Sequence, residues 1–250
     1  MVMKTLGVIL ARAGSVGLPR KNELDLLGKP MVMWTIDHAL ASTGIDHVVL
    51  STDGDKLATI GEQAGIDVVY RPADLAHNTA TVDAAARHAV METEKITQQR
   101  YEYVVILYGN VPVRPADLSD RALDKLASSG ADSVQSVAAV EKMHPYWMKR
   151  VDHADGDRLL MYEENHVYRR QDLPPVYMLD GGVIAVRRES LFVQRDGEPH
   201  AFLGADRRAV MTQPGEVVDI DSKVDMLVAK AILQEKQSAN GDSANGDVKG

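Results

Sequence analysis

The sequence predicts an α/β fold, a three-layer α/β/α sandwich built on a mainly parallel, mixed sheet. Three observations carry that reading. Short apolar runs of strand length alternate with helical patterns from the first residues, the rhythm of right-handed βαβ crossovers. A length of 250 residues, 45% of them hydrophobic, suffices for one large core. Between about 137 and 178 the rhythm breaks into short strand-like pieces, which predicts an antiparallel arm projecting from the sheet.

The elements follow in order. "TLGVILA" (5–11) reads as a buried strand, and "MVMWTIDHALAST" (31–43) spaces Val32, Ile36 and Leu40 along one helical face. "HVVLST" (47–52) is a second strand, "DKLATIGEQAG" (55–65) a helix stopped by Gly65, and "IDVVY" (66–70) a third strand. "TATVDAAARHAVMETEK" (79–95) is helical, with His88 expected on its exposed face, and "YEYVVILY" (101–108) is a fourth buried strand. The stretch 137–178 offers an Asp-Gly turn and paired prolines but no long helix. "GGVIAV" (181–186) returns to the core, and "SKVDMLVAKAILQEK" (222–236) makes the last amphipathic helix. One domain is expected over 1–236. "SANGD" then occurs twice in 238–247, a polar repeat that predicts a disordered tail over 237–250.

Composition excludes several classes. The absence of cysteine removes disulfides, Cys-ligated zinc and thiol nucleophiles, and suits a reducing cytoplasm. No apolar run approaches the roughly 20 residues needed to cross a bilayer. "MVMKTLGVILARA" imitates a signal peptide, but Arg12 interrupts its short apolar core, so a cytoplasmic location is expected. The net charge of -8 argues against nonspecific nucleic-acid binding while leaving room for a small anionic substrate. The eight histidines form no HxH or HExxH pattern.

The local exception to this acidity is "ILARAGSVGLPRKN" (9–22). Lys4, Arg12, Arg20 and Lys21 all precede the first acidic residue, Glu23. A chain leaving a strand through Gly14, Ser15 and Gly17 lets backbone N–H groups approach phosphate oxygens. Arg12, Arg20 and Lys21 can neutralise a triphosphate, and Asn22 can hydrogen-bond a phosphate or hydroxyl. The loop is neither GxGxxG nor GxxxxGK[ST]. On composition alone, an ordinary strand-to-helix turn with solvated cations remains open.

These residues resemble the N-terminal signature of the acylneuraminate cytidylyltransferases (CMP-sialic acid synthetases), A-R-x-x-S-x-G-x-x-x-K-N. The resemblance continues through "STDGDKLA", "VVYRPADLAHNTAT", "RRQDLPP" and "VDIDSKVD", spanning residues 5 to about 235 in order. It implies a sandwich of the nucleotide-diphospho-sugar transferase type whose arm mediates homodimerisation. The implied reaction transfers CMP from CTP to the anomeric hydroxyl of a sialic-acid-like, nine-carbon 2-keto sugar acid, releasing pyrophosphate and using Mg²⁺. By the same resemblance Leu10, Ala11, Gly14, Ser15, Asn22, Arg71, Ala80 and Thr81 hold the nucleotide. Arg71 and main-chain groups near Leu10 and Ala80 would read the cytosine, while Arg12 and Lys21 stabilise the departing pyrophosphate.

Asp219 and Asp221 lie in "VVDIDSKVD". In an extended segment both point to one side, where two carboxylates could hold Mg²⁺. Alternatively Asp221 caps the last helix. The resemblance favours metal binding, with Asp221 catalytic, and implies Arg170 on the sugar carboxylate across a dimer interface. Tyr108, Asn110 and Asp180 complete the expected sugar contacts. Here the chain departs from the family: Tyr108 stands where a substrate-contacting glutamine is usual, and "MLDGG" carries Met178 and Asp180 in place of R-x-N-G. Val16 and Val82 likewise replace a lysine and a serine. His144 is expected to be structural, and Tyr146, Trp147 and Met148 to pack the arm or contact a partner. Two rivals are an enzyme of the same fold using the eight-carbon acid Kdo, and a nucleotide-binding paralogue with impaired turnover. "GLPRKN" lacks the S-T-R-L-P-x-K-P pattern of the former.

Overall fold

Apolar runs too short to bury themselves meet in one sheet. In the computed structural model, which describes residues 3–14, 17–77 and 79–245, β1 (Thr5–Leu10) is buried along its whole length. A 3-10 turn (Lys21–Glu23) and a ribbon of β2 (Asp25–Leu26) with β3 (Lys29–Pro30) lead into α1 (Met31–Ala41). β4 (His47–Thr52), α2 (Asp55–Gln63), β5 (Asp67–Tyr70), α3 (Val82–Thr97) and β6 (Tyr103–Tyr108) then alternate close to the expected bounds. The chain continues through α4 (Leu118–Ser129), β7 (Ser133–Ala139) and a hairpin of β8 (Lys149–Asp152) with β9 (Arg158–Met161). The long β10 (Tyr177–Arg187), short α5 (Arg188–Leu191), β11 (Arg207–Thr212) and α6 (Lys223–Asn245) complete it.

Seven strands form the main sheet in the order β11-β7-β10-β6-β1-β4-β5. Of these, β10 alone runs against its neighbours, β6 and β7. Side-chain alternation sorts the strands between two faces. Leu6, Val8, Leu10 and Ile106 pack on Ala85, Ala86, Ala89 and Val90 of α3. Ile9, Leu50 and Leu107 pack on Val32, Ile36, Leu57 and Leu118 from α1, α2 and α4. A third cluster joins Ala229 and Leu233 of α6 to Leu26, Met31, Val113 and Ile220. The sandwich and its mixed sheet match the expectation. No described helix is long and apolar enough to cross a membrane.

Four points differ. The sheet strands β7 and β10 reach Ala139 and Tyr177, so the excursion from the sheet is 140–176 rather than 137–178. The last helix continues to Asn245 instead of stopping at Lys236. Extending an established helix needs no new nucleus, so the weakly helical "QSANGDSAN" can follow it. His88 is half-buried, with its Nδ1 sealed from solvent, because it borders the Ala85–Ala89 face of α3. Finally α4, β7, α5 and β11 were not among the expected elements. As expected, His144 is structural: buried, it accepts the Tyr146 N–H at Nδ1 (3.1 Å) and donates from Nε2 to the Pro174 carbonyl (3.1 Å), fastening the excursion's two ends.

His38 of α1 meets Ser119 of α4, Nε2 to Oγ at 2.8 Å. Burial, reinforced by the charge of Arg114, lowers its pKa from 6.5 to about 4. The native state therefore keeps His38 neutral while the unfolded chain takes up a proton below pH 6.5. The stability this neutral ring contributes is complete above pH 6.5 and declines as pH falls toward 4. The total loss should be roughly 3 kcal/mol. Urea denaturation across that window should show the decline, and His38→Gln should flatten it.

Candidate active site

β1 delivers its loop at the carboxyl edge of the sheet, where open α/β sheets place their ligands. The Ala11 N–H is still held by the Ser51 carbonyl (3.1 Å), and the Ala13 N–H by Asp53 Oδ1 (2.7 Å). The loop then crosses to the segment before α6. A Cβ on Gly17 would lie 2.7 Å from the Asp221 carbonyl oxygen, so this approach requires glycine. Lys21 Nζ reaches Asp221 Oδ1 at 2.5 Å. Asn22, 3% exposed, donates from Nδ2 to the Arg12 carbonyl (2.9 Å) and ties the loop to itself. Its Oδ1 is sealed from solvent and has no partner among the described residues.

These groups line a cavity of about 360 Å³. Its lining includes Leu10, Arg12, Lys21 and Asn22, with Arg71, Ala80 and Thr81, and with Tyr108, Asn110 and Asp221. Arg71 is fixed in place: Nε donates to Ser51 Oγ (2.8 Å) and Nη2 to the Ser51 carbonyl (2.9 Å). Burial lowers its pKa to about 10, with Asp53 opposing and Arg12 adding to the shift. Arg71 therefore stays charged at neutral pH. Thr81 caps α3, accepting the Ala84 N–H at Oγ1 (3.3 Å).

A second cavity, about 600 Å³, adjoins the first through Tyr108, which lines both. Asp219, Asp180, Gln135 and Ser136 lie along it. Asp219 accepts from Asn110 Nδ2, and the Ile220 N–H donates to the Asn110 carbonyl (2.9 Å), docking the acidic segment against the end of β6. Burial, with the neighbouring charge of Asp221, raises the Asp219 pKa to about 6. The N-terminus of α6 is capped by others. Ser222 Oγ accepts the Asp225 N–H (3.3 Å) and Asp225 Oδ2 accepts the Ser222 N–H (2.7 Å), a reciprocal capping box. Asp221 is thereby released from capping, and its carboxylate meets Lys21.

Comparison with known proteins identifies the family. The family model described as Cytidylyltransferase matches residues 6–217. The chain belongs to the cytidylyltransferase family. It is 30% identical over 236 residues to a pseudaminic acid cytidylyltransferase of Campylobacter jejuni, covering 93% of this chain and 97% of that one. It is also 30% identical to an N-acylneuraminate cytidylyltransferase of Streptococcus agalactiae, over 90% of this chain but 52% of that protein. A CMP-N,N'-diacetyllegionaminic acid synthase of Legionella pneumophila is 28% identical over 95% of this chain and 99% of its own length. Among solved structures, a CMP:2-keto-3-deoxy-manno-octonic acid synthetase complexed with CTP has a TM-score of 0.67 at 19% identity, covering 93% of this chain and 99% of that one. That likeness supports the fold. The resemblance to the acylneuraminate cytidylyltransferases is borne out.

Within this cytidylyltransferase, most expected residues converge on the two cavities, but not all. Ala11 is buried beneath the loop, packed so closely that a Cβ on Gly109 would lie 2.8 Å from its own. Gly14 is exposed and lines neither cavity, with open space where a Cβ would stand. Ser15, like Val16, lies outside the described residues. Arg170 also lines neither; its 3-10 turn carries it outward, where Nη2 pairs with Glu141 Oε1 at 2.6 Å. Asp180 lines the second cavity with its oxygens already accepting from Ser136 Oγ, the Gly182 N–H and Thr212 Oγ1. Sequence reading missed Arg114, a buried cation beneath both cavities. Its signal was a lone arginine ending the apolar "NVPVR".

The capping box gives a sharp expectation. Ser222→Ala should lower stability by about 1 kcal/mol, whereas Asp221→Asn should change it by less than about 0.5 kcal/mol, since the carboxylate end of its ion pair is 73% exposed and screened by solvent. Chemical denaturation of both variants checks this. The reverse order would make Asp221 the cap.

Proposed function

We propose that this chain transfers CMP from CTP to the anomeric hydroxyl of a sialic-acid-like, nine-carbon 2-keto sugar acid, releasing pyrophosphate. The observation that carries the reading is the junction of two cavities. One is ringed by Arg12, Lys21 and Arg71, the other opens beside it, and Tyr108 and the 219–221 segment lie between them. The names of the pseudaminic, neuraminic and legionaminic relatives support an acidic sugar as acceptor.

In this reading the 2-hydroxyl oxygen of the sugar attacks the α-phosphorus in line, and the bond to the β-phosphate oxygen breaks. The hydroxyl proton passes to solvent. Arg12 and Lys21 take up the charge that develops on pyrophosphate, and Arg71 donates to the cytosine carbonyl. Catalysis rests on positioning and charge neutralisation by fixed groups. The donor set of Asp219 and Asp221 suits Mg²⁺, which is commonly held by one or two carboxylates together with substrate phosphates. The raised pKa of Asp219 fits a carboxylate pair that gains from a cation. Bound there, the ion would supply Lewis-acid stabilisation of the phosphoryl oxygens.

The excursion supports a homodimer. Leu159, Met161 and Tyr168 are 67%, 48% and 92% exposed, an apolar surface expensive in a monomer. Arg170 beside it is suited to a carboxylate in the second subunit's acceptor cavity.

Two measurements test these assignments. Calorimetry should show CTP binding more tightly than UTP or ATP, and Arg71→Ala should lose about 1–3 kcal/mol of CTP affinity. In a pyrophosphate-release assay with acidic nine-carbon sugars, Asp219→Asn and Asp221→Asn should raise the Mg²⁺ requirement. Equal affinity for all nucleotides sinks the cytosine reading.

The dimer is tested by mixing Arg170→Ala and Asp221→Ala subunits, each inactive alone. Exchange should restore one intact site and part of the activity. No recovery despite proven exchange would remove Arg170 from the partner's site.

A further inference from the structure

We propose that the second cavity selects an acidic sugar poor in free hydroxyls, bearing acylamino groups and ending in a methyl carbon. Met143 and Met178 are the discriminating side chains. The inference rests on reading that cavity as the acceptor site, and it deepens that reading.

The first observation is the lining. Away from Tyr108 the wall consists of Ala138, Ala139, Val140, Met143, Met178 and Leu179. Met178 stands opposite Ala138 across the β10–β7 pairing, so the apolar floor is continuous. The second is the state of the polar groups that remain. Ser136 Oγ donates to Asp180 and accepts the Val183 N–H at 2.9 Å. Asp180 accepts further from the Gly182 N–H and Thr212 Oγ1. The cavity is thus largely apolar, and Ser136 and Asp180 have little hydrogen-bonding capacity left to offer.

A ligand hydroxyl set against this wall loses water without gaining a partner. A methyl group there gains burial, and methionine adapts its shape around it. Gln135 and Lys142 are exceptions: neither side chain makes a hydrogen bond among the described residues, and both line the cavity. A free carboxamide offers the paired donor and acceptor that an acylamino group requires. An apolar pocket discriminates against an added hydroxyl by roughly 100-fold at most. The expected preference is therefore on the order of 10- to 100-fold.

The test compares kcat/KM at saturating CTP for N-acetylneuraminic acid, N,N'-diacetyllegionaminic acid and pseudaminic acid. One of the two latter acids, each with a second amino substituent and a terminal methyl, should exceed N-acetylneuraminic acid by about 10- to 100-fold. Met178→Gln or Met143→Gln should narrow that ratio, while Met178→Leu should preserve it, with the KM for CTP unchanged in all three. Met143 and Met178 are 62% and 50% exposed, so the fold should tolerate these changes. Wild-type preference for N-acetylneuraminic acid, or a ratio unmoved by both glutamine variants, overturns the selectivity but leaves the acceptor assignment standing. Failure to turn over any of the three acids, with CTP binding intact by calorimetry, overturns the acceptor assignment and the selectivity together.

Discussion

Arg114 donates from Nε to the Gly182 carbonyl (2.6 Å), from Nη2 to the Tyr108 carbonyl (2.9 Å), and from Nη1 to the Val111 carbonyl and to Thr35 Oγ1 (3.0 Å). Those partners belong to β10, the end of β6, the following turn and α1. The guanidinium is buried, and burial lowers its pKa to about 9, while Asp219 and Asp180 favour its charge through space. Desolvating such a cation costs several kcal/mol. The cost is offset because the carbonyls at this strand end would otherwise be buried without donors. Thr35 Oγ1 reaches two of these three carbonyls, those of Tyr108 (3.1 Å) and Val111 (3.2 Å), so the turn is clamped from two elements. Tyr108, the wall between the cavities, and Gly182, within the irregular stretch of β10, are consequently held in one frame.

The second constraint is electrostatic and spans the chain. Lys21 and Asp221 are separated by 200 positions yet form one ion pair. Their meeting requires the loop after β1 to cross on glycine and α6 to present its preceding segment in a fixed pose. Packing supplies that pose, since Ile220 inserts into the cluster of Leu26, Met31 and Val113 that also holds Ala229 and Leu233. Hydrogen bonds from Asn110 complete it. The acidic segment is thus placed by the core beneath it rather than by the charges it displays.

How much of this was legible in sequence follows from where the contributing residues lie. Arg12, Lys21 and Asn22 fall within one loop, so charge and spacing reveal them together. Strands such as β1 and β6 are largely apolar runs and declare themselves. The second cavity does not. Gln135 and Ser136 come from β7, Met178 and Asp180 from β10, and Met143 from the excursion. Their convergence depends on β10 running antiparallel between β6 and β7, which no local pattern encodes. β7 itself reads "SVQSVAA", small and half-polar, because a strand lining a cavity need not be apolar on that face. Arg114 escaped for a related reason: a cation in a buried turn has no periodicity, and only the carbonyls around it explain its presence.

On the proposed reaction, two anions must approach one phosphorus atom inside a protein of net charge -8. Unit charges about 6 Å apart repel by roughly 3 kcal/mol at an effective dielectric constant near 20. The cations that oppose this are unevenly placed. Arg12, Lys21 and Arg71 line the nucleotide cavity, whereas Lys142 is the cation lining the other. Neutralisation is therefore concentrated on the triphosphate, where most of the charge resides. The acceptor cavity can then be largely apolar without forfeiting the encounter, which leaves its side chains free to discriminate by shape and hydrogen-bonding capacity rather than by charge.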